Sequence, residues 1–521
     1  MKRIYIIILL SCSFFLGQDF LFGMGPYYQF HTKVYPSILE EPTLPIFRTV
    51  LIPDSSTYIA VSSIEKIKRS FNQYLSKPDD EGIFFAYKPN DVQIVQIRVM
   101  GGVDYQRRNQ DYYFFLYKGL RVESLIANSL FLYGDWWAGH FTGDRHYYEQ
   151  SPLIVGFRQP DNETIYIDHL TGSLYYGSEA LGVSFGRGKF HVGNDISGSV
   201  ILNDEANDFG YFKAQCKLGT LKLEYVHGAL TPDKNEIVYY QPQSSATSDS
   251  SRVDKFIVMH KLSWEPVPDR FEGFIGEEII YGNRSVDLNY ILPHAFWRII
   301  EHNLEDRDNV LIFGGFNWKF KSDFSLYHNL LLDEFSKSKI LTDWWGSKYA
   351  LQAGLSYCRN KQIREKLHGI PITLFLPPRI NIEMTAVRPW TYTHFIRWNK
   401  FSNDGIALGY PLGSNCLNYS TEIDYWFNYL PLSLGVNASY TRQGSTGNSF
   451  TLNTSDPALI PNTQTTKTHW LAGKITDTTS IKAYMELHPL THHYFRIGTM
   501  MNKTQETNWK QDFTFSYRTE F

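Results

Sequence analysis

Asp512-Phe513-Thr514-Phe515-Ser516-Tyr517-Arg518-Thr519-Glu520-Phe521 closes the sequence without a break in its alternation. Phe513, Phe515, Tyr517 and Phe521 share one face with Thr519, while Asp512, Thr514, Ser516, Arg518 and Glu520 take the other. Side chains on a strand have a period of two, so the stretch is a ribbon with one apolar and one polar side. The termini of soluble domains are commonly frayed and polar. A barrel closing in lipid needs such a last strand, because every backbone group must pair and the outward side chains must suit acyl chains. The edge strand of a soluble sheet alternates too, so further ribbons have to decide.

They recur upstream. Val310, Ile312, Phe316, Trp318 and Phe320 face one way, and Asn309, Asn317, Lys319 and Lys321 the other. After a tight turn at 321–323, Phe324, Leu326, Leu330 and Leu332 oppose Asp323, Ser325, Asn329 and Asp333. Ribbons at 421–429, 432–440 and 481–487 place Ile423, Tyr425, Phe427, Tyr429, Leu432, Leu434, Val436, Ala438, Tyr440, Ile481, Ala483, Met485 and Leu487 outward. Charged and amide side chains recur on the second face, which suits a wet lumen better than a soluble sandwich.

Composition agrees. Aromatic residues make up 16% of the chain, with 35 Tyr, 36 Phe and 12 Trp, spread singly through alternating segments at a mean hydropathy of -0.30. That pattern fits a transmembrane barrel with aromatic girdles. Met1-Lys2-Arg3 followed by the apolar run from Ile4 is expected to be a signal peptide over 1–23, too short for a spanning helix. Net charge of -3 gives no reason to expect nucleic acid. Beyond the signal, Cys216, Cys358 and Cys416 are too few and too scattered for a disulfide framework or metal cluster, and pairing of Cys358 with Cys416 stays open.

Residues 24–81 differ, with early prolines and then helical spacing at Ile64, Ile67, Phe71 and Leu75. This predicts an N-terminal segment with a short helix, periplasmic or plugging the lumen. The barrel is expected over 82–521. At roughly 22 to 28 residues per strand with its loops, that length predicts an all-β antiparallel barrel of about 16–20 strands, with 18 the central value. A barrel so wide cannot be filled by wall side chains alone, so it is either plugged or an open channel. Polar stretches at 140–170, 232–252, 287–308 and 442–466 are expected loops, the third with a short helix over Leu292–Ile300. The terminal aromatic Phe521 is expected to engage the barrel assembly machinery.

No catalytic motif stands out, and no enzyme activity, cofactor or metal is expected. His492-His493 reads as a solvated turn. Glu277-Glu278 and Asp333-Glu334 each place only one acid inside, because strand neighbours point to opposite faces. Carbohydrate binding calls for aromatic platforms beside charged or amide groups. Asp135-Trp136-Trp137, Asp343-Trp344-Trp345 and Arg388-Pro389-Trp390-Thr391-Tyr392 supply that mixture near expected strand ends. The competing reading of these tryptophans is an interfacial girdle.

From about residue 175 onward the chain resembles the Wzi-like capsule-assembly proteins of the bacterial outer membrane. The likeness rests on the order of His260-Lys261-Leu262-Ser263-Trp264, Glu278-Ile279-Ile280-Tyr281-Gly282, Asn289-Tyr290-Ile291-Leu292-Pro293, Asp308-Asn309 and Leu332-Asp333-Glu334-Phe335. It continues through Val387–His394 and Leu408–Asn415. One departure is His191-Val192-Gly193-Asn194, where the family tends to a Trp-Gly-Pro-Gly-like stretch. The resemblance implies a non-catalytic outer-membrane barrel that anchors capsular or other surface polysaccharide. The clusters read above leave Trp136, Trp137, Trp344, Trp345, Arg388, Trp390 and Tyr392 as candidate sugar contacts, and the resemblance implies that Glu278, Tyr281, Asp308, Asn309 and Asp333 are lumen or structural residues. A porin for small solutes or oligosaccharides is the alternative, and an outer-membrane hydrolase a more distant one.

Overall fold

The structure, a computed structural model, describes residues 85–520 apart from 91–92, 109–110, 127–128, 145–157, 161–163, 178–179, 234–236, 241–248, 268–269, 306, 322, 335–338, 340–341, 358–365, 368–369, 372–378, 427–431, 448–466 and 491–492. The signal peptide, the Ile64–Leu75 helix, Cys358 and Phe521 lie outside the described residues.

Eighteen antiparallel strands form a closed wall. They are β1 (Gln93–Arg108), β2 (Asp111–Ile126), β3 (Leu130–Gly143), β4 (Thr164–Gly177), β5 (Leu181–Gly188), β6 (Phe209–Leu218), β7 (Leu221–Leu230), β8 (Lys255–Val267) and β9 (Phe271–Gly282). There follow β10 (Asn309–Lys321), β11 (Phe324–Glu334), β12 (Lys348–Tyr357), β13 (Arg379–Val387), β14 (Cys416–Trp426), β15 (Leu432–Gly444), β16 (Ile475–Leu490), β17 (His493–Thr504) and β18 (Lys510–Glu520). Two short strands, Phe85–Asn90 and Arg158–Pro160, pair at the margins of the wall. The closing strand β18 pairs with β1 from Met100↔Glu520 to Arg108↔Asp512. At this seam the guanidinium of Arg108 donates to both carboxylate oxygens of Asp512, at 2.5 Å each. No helix among the described residues is long and apolar enough to cross a membrane. Any crossing is made by strands, which leave no open edge in lipid.

The alternation read from the sequence is the alternation of the wall. Leu434, Val436, Tyr440, Met485, Leu487 and Phe513 are exposed on the outside, while Asp424, Glu486 and Asp512 are buried inside. Inward charges neutralise one another between neighbouring strands. Lys213 bonds Glu224 at 2.6 Å, Arg379 bonds Asp424 at 2.5 Å, and Arg121 bonds Asp135 at 2.6 Å.

The connections are unequal. β1 starts and β18 ends at one rim, where the join 219–220 is a tight turn. At the opposite rim lie the long connections 189–208, 231–254, 283–308, 388–415 and 445–474. Outer-membrane barrels keep short turns on the periplasmic side and longer loops outside. Three of these long connections do not simply project. The segments 189–208 and 388–415 turn into the barrel as a plug. The segment 283–308 turns outward over β6–β10 and forms a collar containing α1 (Trp297–Asn303). The expected helix over Leu292–Ile300 is thus found a turn later.

Candidate functional site

Plug segment 189–208 leaves β5 and reaches the far wall. Asn194 Nδ2 donates to Asn317 Oδ1 on β10 at 2.9 Å, and Asn329 Nδ2 on β11 donates to the Asn194 carbonyl at 2.8 Å. Gln352 on β12 donates to the Gly198 carbonyl at 2.9 Å. Glu383 on β13 accepts from the backbone of Ile196 at 2.8 Å and Ser197 at 3.2 Å, from the Ser197 hydroxyl, and from Tyr327 at 2.6 Å. Buried polar groups of a loop need partners, and here the wall supplies them. Phe190, Val192, Val200, Ile201 and Leu202 then pack with Tyr392, Phe401, Leu408 and Tyr410 of the second plug segment. Inward Ile257, Met259, Phe274, Ile280, Leu311 and Leu331 complete this apolar core.

Inside the first plug segment, His191 lies between Asp195 at 2.6 Å and Asp204 at 3.4 Å. Burial alone would lower its pKa. The two carboxylates outweigh it and hold the imidazole up to about 10, so it is a cation at neutral pH. This ion cluster occupies the place where the chain departs from the Wzi-like pattern.

The second plug segment is fixed at its start. The amide of Tyr392 donates to Asp333, and its hydroxyl to the Val200 carbonyl at 2.7 Å. Trp390 and Tyr392 both adopt the left-handed backbone region, with φ of 69° and 72°, which the buried contacts around them must sustain. Arg388 is buried, donating to the carbonyls of Ser347 at 3.2 Å and Trp344 at 3.3 Å. Its guanidinium lies 5.9 Å from the Tyr349 ring and 5.6 Å from that of Trp470.

Arg388 therefore holds an aromatic rim from below. Trp344 and Trp345 meet edge to face at 6.0 Å, and both are partly exposed. Lys339 Nζ sits 4.8 Å from the Trp344 ring, and Lys348 Nζ 5.7 Å from that of Trp345. The segment 467–470 closes the rim: Trp344 bridges Lys467, Thr468 N donates to the Asp343 carbonyl at 2.7 Å, and His469 faces Asp343 at 3.3 Å. Indole faces beside lysines, an imidazole and a carboxylate offer stacking surface and hydrogen-bonding groups together. Among the described residues no group of three His, Cys, Asp or Glu side chains is arranged to hold a metal ion.

The candidates from the sequence separate into three places. Trp344 and Trp345 are at the rim. Arg388, Trp390 and Tyr392 lie beneath it and are buried. Trp136 and Trp137 are elsewhere, in the middle of β3 rather than at a strand end. Trp136 faces outward beside Leu120 and Leu170, whereas Trp137 faces in, stacked on His169 at 5.0 Å. Asp333 anchors Tyr392, and Asn309 donates to the Asn399 carbonyl at 2.9 Å. Asp308 belongs to the collar and Tyr281 to the outer face of β9 beneath it, not to the lumen: Asp308 accepts from Arg284 and Tyr290, and Tyr281 accepts from the Asp287 amide. Glu278 points inward and Glu277 outward. Neither carboxylate oxygen of Glu278 finds a donor among the described residues. Sequence reasoning passed over Glu383, Asp195 and Trp470, and met His191 only as part of the departure from the Wzi-like pattern. Only the dense Asp-Asn-Gly-Ser content of 189–208 hinted at an irregular segment.

No family model matches the sequence, and no curated protein matches it. Among solved structures the fold is similar to Wzi, described as an outer membrane protein involved in group 1 capsule assembly in Escherichia coli and a carbohydrate-binding β-barrel. Identity is 11%, with 97% of this chain and 99% of that one covered, at a TM-score of 0.51. Pseudomonas aeruginosa OprD matches at 10% identity over 82% of this chain and 95% of its own, with a TM-score of 0.42. Pseudomonas aeruginosa OpdK with vanillate matches at 10% over 82% and 98%, with a TM-score of 0.44. The chain is accordingly an eighteen-stranded barrel of the outer-membrane type, similar in fold to Wzi.

Proposed function

We propose that this protein sits in the outer membrane and holds a surface polysaccharide, capsular or related, at the cell exterior without bond-making chemistry. The observation that carries this reading is the plug. Segment 189–208 crosses the lumen and is bonded to Asn317, Asn329, Gln352 and Glu383 on the far wall. A pore for solutes needs that path clear, whereas an anchor needs a rigid platform. Above the plug, Trp344 and Trp345 are the direct sugar contacts of this reading. Arg388, Trp390 and Tyr392 are their supports, and Trp136 and Trp137 are wall residues. Individual stacking contacts are weak, and a repeating polymer multiplies them. The fold shared with Wzi, a carbohydrate-binding barrel, supports the same reading.

Deletion of the protein should leave polymer synthesis intact and shed the product into the medium. Deletion cells that keep a normal polymer coat would remove the proposal. Planar-bilayer recording of the purified chain should show little current, and steady conductance steps would favour the porin.

A further inference from the structure

The collar is an outward-folded segment with apolar residues on both sides. Beneath it, on the outer face of the wall, lie Tyr225, His227, His260, Glu277 and Tyr281. Trp297 stacks on His260 at 4.0 Å, while Glu277 accepts from the amides of Trp297 at 2.7 Å and Arg298 at 3.2 Å. Arg284 pairs with Asp308 at 2.6 Å and Arg298 with Glu301 at 2.9 Å, while Glu305 and Arg307 are exposed at the collar's C-terminal end. Its other side presents Leu288, Ile291, Leu292, Phe296 and Ile299, which are 49 to 70% exposed.

The height of the wall says what this second surface meets. On β2 the outward row runs from Tyr112 through Phe114, Leu116 and Leu120 to Val122, interrupted by Lys118. Ten residue steps span roughly 33 Å along a strand, or about 25 Å upright at a tilt of about 40°, the height of a lipid-facing belt. On β8 the exposed outward residues Leu262, Trp264 and Val267 end below His260, which pairs in register with Glu277 and Tyr225, and the outward Val258 and Phe256 above it are packed under the collar. Five steps give roughly 17 Å, or about 13 Å upright. A bare wall here would turn His227, His260 and Glu277 toward hydrocarbon at half the belt's height. The collar covers those residues and lies directly above Leu262 and Ile275.

We infer that the collar completes the lipid-facing belt, with Leu288, Ile291, Leu292, Phe296 and Ile299 seated among the acyl chains of the outer leaflet. The surface is continuous with the wall's own apolar face, and burial in lipid removes an exposed patch that water disfavours. The test places p-benzoylphenylalanine, one site at a time, at 262, 288, 296 and 469 in the full chain, reconstituted in phospholipid vesicles. After irradiation, 288 and 296 should yield phospholipid adducts like those at 262, and 469 on the rim should yield none. Adducts at 262 without any at 288 and 296 would overturn the inference while leaving the barrel in its bilayer. Cross-links from 296 to a second copy of the chain would also overturn it. Absence of adducts at 262 would overturn the membrane placement itself, and the inference with it.

Discussion

Plug and collar start from the same rim and take opposite directions, and the wall beneath each shows why. In the lower half of β7 and β8 the lumen side carries Lys222, Glu224, Lys261 and Ser263, and the outside carries Leu221, Leu223, Leu262 and Trp264. In the upper half the lumen side turns apolar, and polar groups join Phe256 and Val258 on the outside. Val226, Ile257 and Met259 face in, while Tyr225, His227 and His260 face out. An apolar lumen surface calls for an apolar filler, and a mixed outer surface calls for a cover that can both pack on it and bond to it. The plug supplies Val200, Ile201 and Leu202 to the first. The collar supplies backbone amides and Trp297 to the second. Strand parity is constant throughout; what changes midway is the medium on each side.

The strongest way to break the comparison is to remove one member. Replacing 189–208 with a short Gly-Ser turn should raise planar-bilayer conductance about tenfold or more, since the wall alone is too wide to close itself. An unchanged current would show that the plug does not govern the path. Next comes Glu383→Ala, which strands the amides of Ile196 and Ser197 and the hydroxyl of Tyr327. A local cost of about 3 kcal/mol is expected from donors left buried and unmet. It should appear as faster protease cleavage within 189–208 with the barrel still folded, and the collar should be unaffected.

Asp308→Ala is the corresponding cut in the collar. It orphans the Tyr290 hydroxyl and leaves Arg284, which is partly exposed, with Asp287 as its carboxylate partner, so the expected loss is smaller, about 2 kcal/mol. Hydrogen exchange should accelerate over 284–304 and stay slow over 189–208. Coupled loss of both would deny that the two segments fold independently.

A pH series addresses the plug alone. The folded pKa of His191 is raised, from an ordinary 6.5 to about 10. Its contribution is therefore complete below about 6.5 and is lost as pH rises through about 10. Plug opening, read as conductance or cleavage, should increase between those values. His191→Gln should abolish that dependence. The smallest effect on the fold is expected from Trp344→Ala with Trp345→Ala, which should weaken polymer retention while leaving thermal unfolding nearly unchanged.

The strands were legible because period two survives any surroundings: Phe513, Phe515 and Tyr517 alternate whatever their neighbours are. The count of eighteen followed from length. The direction of the loops was hidden for the same reason, since His260 and Leu262 share a parity and only the third dimension separates their environments. That Arg388, Trp390 and Tyr392 lie beneath the rim was not legible, because a buried aromatic and an exposed one are spelled alike. Trp136 and Trp137 were misplaced to a strand end because β3 runs straight through Asp135, whose partner Arg121 sits on the neighbouring strand.

The clasp between Arg108 and Asp512 joins residues at the two extremes of the wall. Neither can meet the other until all intervening strands have been laid side by side, so the contact marks the instant at which a growing sheet becomes a cylinder. A reporter at that junction would time the end of biogenesis, independently of any event at the plug or the collar.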